Sequence, residues 1–287
     1  MKKVVCLGGG GAMPKAVLPQ IKNEDIDLKV ISATLDSGGS SGKLRKDYNI
    51  IAVGDLRRAF LELSSLDNKA VLDYRFKDGH NLANLIIASI LLNEENPIDV
   101  LNNFFKTIHR VLPITLETAN LCAELQDGGV VVGETNIDIP KHDSKIKRVF
   151  LDKDILIYPE AYEKIIEADA IIIGPGDLYS SLIQVLLIAK EAINKSKAKL
   201  IYICNPINKK GETDNFTVLD FEREIEKYLN KKLDHVIFNN DNNIFSKFDL
   251  VSFSLYNDSK HIGLSLLKEN ELAYDPKKLV NQIMKLI

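Results

Sequence analysis

Short apolar runs of four to six residues recur along the chain, separated by segments in which apolar residues return every three or four positions. That alternation predicts a mainly parallel sheet covered by helices on both faces, because only a strand buried on both sides reads as a continuous apolar run. The runs place strands at 3–7, 28–34, 148–151, 170–174, 199–204 and 235–238. A helix opens near Asp55, where Leu56, Ala59, Phe60 and Leu63 share one face, and a second opens at His80-Asn81 with Leu82, Leu85, Ile86, Ser89 and Ile90 turned inward. Leu121 to Leu125, the turn Gln126-Asp127-Gly128-Gly129 and Val130 to Thr135 form a β-hairpin, expected as a small appendage at about 117–137. The run Asn239 to Asn243 is loop chemistry, Lys260 to Leu267 a last strand, and Pro276 the start of a closing helix within a C-terminal segment, 240–287, that carries the weakest pattern. The expected fold is therefore α/β: a single Rossmann-like, three-layer α/β/α domain over residues 1–287 with a hairpin appendage.

Composition narrows the classes without choosing among them. At 287 residues, 45% hydrophobic and 27% charged, the chain can bury one large core. A formal net charge of -3 without a dense basic run argues against a nucleic-acid partner, since Asp143 interrupts the nearest cluster, Lys141, Lys145, Lys147 and Arg148. No apolar stretch is long enough for a bilayer and no signal-peptide pattern opens the chain, so no membrane partner is expected and the location is expected to be cytoplasmic. Cys6, Cys122 and Cys204 each sit in an apolar run without metal-ligand spacing, which predicts buried, reduced thiols.

Three loops carry the chemistry. Gly8, Gly9, Gly10 and Gly11 follow the first apolar run, the arrangement a phosphate-binding turn requires: a strand ends, the backbone turns unobstructed, and helix N–H groups face an anion. Asp36-Ser37-Gly38-Gly39-Ser40-Ser41-Gly42, followed by Lys43 and Arg45, ends the second strand, and Gly174-Pro175-Gly176-Asp177 ends a later one, before Ser180 and Ser181. In an open parallel sheet such strand ends converge on one edge, so the three loops should face a common crevice and hold a phosphorylated ligand. Ser40, Ser41 and Lys43 offer it hydroxyl and ammonium donors.

Asp36 can hold Mg²⁺ against phosphate oxygens or accept from a hydroxyl, or it can simply cap its own turn. Asp55, with Arg57 close behind, opens a helix that returns to the crevice, where it serves either the ligand or the helix N-terminus. His80, Asn81 and Asn84 suit anion or sugar binding at a helix start, the alternative being that Asn81 caps the helix and His80 is surface. Asn205 ends another strand and points toward the crevice, with Gly211-Glu212-Thr213 as a loop over it. No Ser/His/Asp or Cys/His relay can be assembled, which leaves direct transfer or pure binding.

The succession GGGGAMPK, DSGGSSGKLR, VGDLRRAF, YRF with GHNLANL, VLPITLE, LCAELQDGGVVVGE, ADAIIIGPGDLYSS and CNPINKKGET resembles, in order and spacing, the gluconeogenesis factor family, which is related to 2-phospho-L-lactate transferase. The resemblance runs from residue 3 to about residue 220. It implies a Rossmann-like fold and a nucleotide or nucleotide-sugar ligand, UDP-N-acetylglucosamine being the usual suggestion. It also implies a role in carbon-source adaptation and cell shape without an established reaction. The related transferase moves a phospholactyl group from a guanosine diphosphate carrier to a deazaflavin precursor with Mg²⁺.

Three departures bear on that expectation: Gly11-Ala12 stands where the family commonly has Thr-Gly, Ser37 replaces a second Asp, and Ala273-Tyr274-Asp275-Pro276 stands for Arg-His-Asp-Pro. Two main readings follow. One is a regulatory binding protein whose Gly8 to Gly11, Ser40, Ser41, Gly42 and Gly174 to Gly176 hold phosphates while Asn81, Asn84 and Asn205 orient sugar or base. The other is a Mg²⁺-dependent transferase with Asp36 and Asp55 as metal or acceptor ligands, a reading the missing carboxylate weakens. A dinucleotide oxidoreductase is a distant third, resting on Asp36 some 26 residues after Gly10. A homodimer is expected of such folds, although no patch in the chain marks an interface.

Overall fold

The computed structural model describes residues 1–241, 249–254, 256, 258–269 and 271–287. Ten strands run in chain order: β1 (Lys2–Gly8), β2 (Ile26–Ser32), β3 (Arg110–Pro113), β4 (Leu121–Leu125), β5 (Val130–Val132), β6 (Ile146–Leu151), β7 (Ala170–Ile173), β8 (Lys199–Ile203), β9 (His235–Asn239) and β10 (His261–Leu264). Seven of them form one parallel sheet in the order β10-β9-β8-β7-β1-β2-β3. Its central strands are apolar on both faces: Val4 to Leu7 are at most 1% exposed and Ala170 to Ile173 are fully buried. Helices Ala12–Ala16, Leu18–Ile21, Gly54–Leu63 and Pro276–Met284 pack together, as do Pro159–Glu167, Gln184–Lys195 and Val218–Leu229, giving a three-layer α/β/α fold. Cys6, Cys122 and Cys204 are buried free thiols, and burial pushes the Cys6 and Cys204 thiols up to about 12.

Two expectations about the sheets are corrected. The run 148–151 belongs to β6, which pairs antiparallel with β4 in a separate sheet of order β5-β4-β6. Lys147 and Arg148 on β6 are exposed, so that strand is wetted on one face and cannot lie inside a parallel sheet. The main sheet takes β3 instead, four residues ending in a proline and too short to register as an apolar run. The hairpin is present as β4 and β5, but its second arm ends at Val132 and Glu134 already opens the helix Glu134–Asp138.

Helix Leu82–Asn93 is turned differently from the expected face. It buries Ala83, Asn84, Ile87 and Ala88 and leaves Ser89 exposed. Because this helix is apolar almost all round, periodicity does not fix its rotation; small Ala83 and Ala88 allow close approach to helices Gly39–Tyr48 and Gly54–Leu63. The expected strand near 260–267 is β10, and Asp275 caps the closing helix by accepting from the amides of Lys277 and Lys278. Asn242 and Asn243 of the expected loop lie outside the described residues.

Candidate functional site

After β1 the chain builds one half of the sheet through β2 and β3, then returns to β7 on the other side of β1 and builds the other half. Loops leaving β1 and β7 must therefore diverge, and a crevice opens beyond the carboxyl ends of these two strands. A cleft of about 380 Å³ lies there, walled by Gly10 of the first loop, Asp36 and Gly38 to Ser41 of the second, Asp177 and Ser181 of the third, and the start of helix Gly54–Leu63. The second loop runs into helix Gly39–Tyr48, whose N-cap, Gly38, offers no side-chain cap, so its first-turn amides end at the cleft.

Several donors of each loop, however, are already taken, most of them by acceptors from other elements. The Gly10 amide donates to Asp55 Oδ2 at 2.8 Å, and that of Gly38 to Asp36 Oδ1 at 2.7 Å. Gly176 donates to Asn205 Oδ1 at 3.0 Å, while Tyr179 and Ser180 both donate to Glu212 Oε2, at 3.1 and 3.3 Å. Asp177 precedes a turn of wide helix, Leu178–Ile183, in which the Leu182 amide reaches back five residues to the Asp177 carbonyl. Backbone amides alone therefore do not build the cradle the sequence suggests.

Among the expected site residues, Gly10, Asp36, Ser40, Ser41, Asp55, Arg57, Asn84 and Asp177 meet at the cleft wall. The others do not. Gly8 and Gly9 sit beneath it, where a Cβ on Gly9 would lie 2.6 Å from both Ala33 Cβ and Asp55 Oδ2. Gly11 faces a neighbouring concavity, Gly42 packs against Ser37, and Lys43 donates to the Asp78 carbonyl at 2.8 Å. Asn81 caps helix Leu82–Asn93 and donates to Asp73, and His80 Nδ1 contacts Ser40 Oγ at 3.1 Å. Gly174, Pro175 and Gly176 are buried behind the cleft, Ser180 donates to Glu212 Oε1 at 2.7 Å, and Asn205 holds the Gly176 amide.

What distinguishes the cleft is its side chains. Arg57, Asn84 and Gln184 line it, are 8%, 2% and 2% exposed, and each keeps one buried polar atom (Nε, Oδ1 and Oε1) without a hydrogen-bond partner among the described residues. Unmet buried groups of this kind cost about 1–3 kcal/mol each, which a polar ligand or water can recover. Arg58 and Arg75 bring two further guanidinium groups to the same wall.

The family model for 2-phospho-L-lactate transferase CofD matches residues 4–260. The chain belongs to the CofD family. Among its relatives, the putative gluconeogenesis factor of Thermotoga maritima is 40% identical over 249 residues, covering 83% of this chain and 78% of that one. The gluconeogenesis factor of Bacillus subtilis is 32% identical over an alignment of 295 residues, covering 95% and 92%. A crystal structure of a UPF0052-family protein from Bacillus halodurans superposes with a TM-score of 0.90 at 30% identity, covering 99% of this chain and 100% of that one.

In this CofD-family cleft Asp36 of the second loop is joined by a carboxyl group from far away in sequence. Glu134, which opens its helix after Gly133 at φ +95°, lines the cleft together with Asp36 and accepts from the Thr135 hydroxyl at 3.3 Å. Burial, with Asp36 and Asp138 adding repulsion, pushes the Glu134 carboxyl up to about 8, against the pull of the Ser37 amide. Ser37 and Thr135 fasten this helix to the second loop through their hydroxyls, 3.0 Å apart. Asp55 is committed elsewhere: its carboxylate takes the Gly10 amide and Arg58, and burial outweighs both in raising its pKa.

On the third-loop side, Lys209 sits among Asp138, Asp177 and Glu212, whose carboxylate oxygens lie within 4.8 Å of one another. An ammonium thus fills the one three-carboxylate cage among the described residues. Burial pushes Glu212 up to about 7, although Lys209 and the Ser180 donors oppose it.

Arg58, Arg75, Glu134, Thr135, Asp138 and Gln184 went unassigned in the sequence reading. Glu134 had a local signal, standing at the end of the LCAELQDGGVVVGE motif where a strand gives way to a helix. Its raised pKa sets a pH dependence. Between about 4.5 and about 8 the native Glu134 retains a proton that the unfolded chain has released, so stability falls as pH rises through that window and then levels off. Thermal melts from pH 5 to 9 should show this decline, and Glu134→Gln should flatten it and melt above the wild type at pH 9. A slope unchanged by Glu134→Gln would assign the effect to other groups.

Proposed function

We propose that the protein binds a nucleotide sugar or nucleotide, of the UDP-N-acetylglucosamine kind, and acts as a ligand-responsive regulator in carbon metabolism and cell shape. The observation that carries this reading is the set of buried, unpartnered polar atoms on Arg57, Asn84 and Gln184 in one cleft beside Arg58 and Arg75. In it the guanidinium groups and the start of helix Gly39–Tyr48 face the diphosphate, since planar N–H forks and helix N-termini both complement phosphate oxygens. Asn84 and Gln184 supply hydrogen bonds to the sugar or base. The names of the relatives, gluconeogenesis factors, agree with a role in carbon metabolism.

A specific observation favours a second reading, a Mg²⁺-dependent transferase moving a phospholactyl group from a guanosine diphosphate carrier to a deazaflavin precursor. Asp36 and Glu134 both line the cleft, all-oxygen donors of the kind Mg²⁺ takes, and would hold it once Glu134 gives up its proton. Bound there, Mg²⁺ would neutralise charge on phosphate oxygens, while Arg57 and Arg58 orient the same phosphates.

A thermal-shift panel separates the readings. A UDP-sugar at 100 times its Kd should stabilise the native chain by about 2.7 kcal/mol, roughly 5–10 °C, with or without Mg²⁺. Stabilisation by GDP only with Mg²⁺, lost in Asp36→Asn, would instead support the transferase. Silence across UDP-sugars, UDP and GDP would overturn both.

A further inference from the structure

A second concavity, about 460 Å³, lies against the first and shares Arg57 and Arg58 as its wall. Its remaining charges are Lys15, Lys69, Glu62 and Asp73. The two acids are already neutralised: Glu62 pairs with Lys22 at 2.9 Å, and Asp73 pairs with Arg57 while accepting from Asn81 at 3.0 Å. The two lysines are not. Among the described residues no hydrogen bond or ion pair engages the side chain of Lys15 or of Lys69. Arg58 spends one nitrogen on Asp55, and Arg57 keeps its buried Nε unpaired, so neither five-donor fork is exhausted. Gly11 opens onto the same space, with nothing within 4 Å of the position a Cβ would take.

A concavity with two uncompensated ammonium groups, backed by partly free guanidinium groups, is electrostatically unfinished. We infer that it is a second anion subsite, which takes a phosphate group lying across the Arg57–Arg58 ridge from the main cleft. That phosphate has two sources: a separate small phosphorylated metabolite, or the distal end of a ligand that begins in the main cleft. The inference does not rest on the nucleotide reading, because inorganic pyrophosphate probes it directly.

The test titrates wild type and Lys15→Glu/Lys69→Glu with pyrophosphate, and separately with UDP-N-acetylglucosamine, by thermal shift at fixed ionic strength. Lys15 is exposed, Lys69 is half-buried and neither side chain has a partner to lose, so the ligand-free melting temperature should hardly move. Lys2→Glu/Lys197→Glu, at the opposite edge of the sheet, controls for net charge. The expected result is pyrophosphate stabilisation in wild type and control, with the midpoint concentration raised at least tenfold in Lys15→Glu/Lys69→Glu. If UDP-N-acetylglucosamine still stabilises that variant as it does wild type, the phosphate belongs to a separate molecule; if it weakens in parallel, one ligand spans both concavities. Equal midpoints in wild type and Lys15→Glu/Lys69→Glu, or no stabilisation of wild type by pyrophosphate, would overturn the inference whatever the nucleotide does.

Discussion

Gly42→Ala is expected to melt roughly 6–12 °C below the wild type, a loss of about 3 kcal/mol or more, and to lose cleft-ligand binding with it. Gly42 lies in the first turn of helix Gly39–Tyr48, and its Cβ would come 2.0 Å from the Ser37 carbonyl oxygen and 2.4 Å from its carbon. Neither atom is the end of a flexible side chain. Ser37 is itself fixed, because its Oγ accepts from the Thr135 amide at 3.0 Å. Relief therefore requires the second loop to move off helix Glu134–Asp138, separating Asp36 from Glu134. Gly11→Ala is the matched control: its Cβ meets open space and its backbone, at φ -94°, suits any residue, so its melting temperature should stay near that of wild type. Differential scanning calorimetry on the two variants checks both statements, and similar melting temperatures for them would refute the close-approach argument.

Glu212→Ala should cost about 3–5 kcal/mol, because one carboxylate holds four groups in place at the third loop. Glu212 is 5% exposed and accepts from Ser180 Oγ and the amides of Tyr179 and Ser180, while pairing with Lys209 at 3.4 Å. Truncation strands two buried amides at the start of the wide helical turn and leaves Lys209 short of one partner. Glu212→Gln keeps an acceptor and should lose far less. Its deficit should shrink further at pH 9, where the wild-type carboxyl, raised to about 7, is fully charged in a buried place. Urea unfolding at pH 6 and 9 reads this order; an alanine variant as stable as the glutamine variant would contradict it.

The sheet was legible where strands are buried on both faces, as β1, β2, β7, β8 and β9 are. It was illegible at β3, four residues long, and misread at β6, whose polar face at Lys147 and Arg148 belongs to an antiparallel sheet. The three loops were visible as glycine and serine clusters, and so were the residues of each that stand at the cleft wall. What the clusters could not reveal is where their amide donors go. Acceptors such as Asp55 and Glu212 come from other elements, and only tertiary packing shows that Gly10 and Tyr179 are already served. Glu134, Asp138, Gln184 and Arg75 reach the cleft from helices or turns distant in sequence, so spacing alone could not group them with Asp36.

On the proposed function, the guanidinium groups of the cleft between β1 and β7 hold a polyanionic nucleotide-type ligand. Titration calorimetry of UDP-N-acetylglucosamine into wild type and Arg75→Ala tests it most directly, since Arg75 is exposed, donates to the Gly79 carbonyl at 2.7 Å, and can be removed without disturbing the core. Wild type should bind saturably, one to one, and Arg75→Ala should lose at least tenfold in affinity, about 1.4 kcal/mol. Equal affinities for the two proteins, or no heat of binding to wild type, would contradict it.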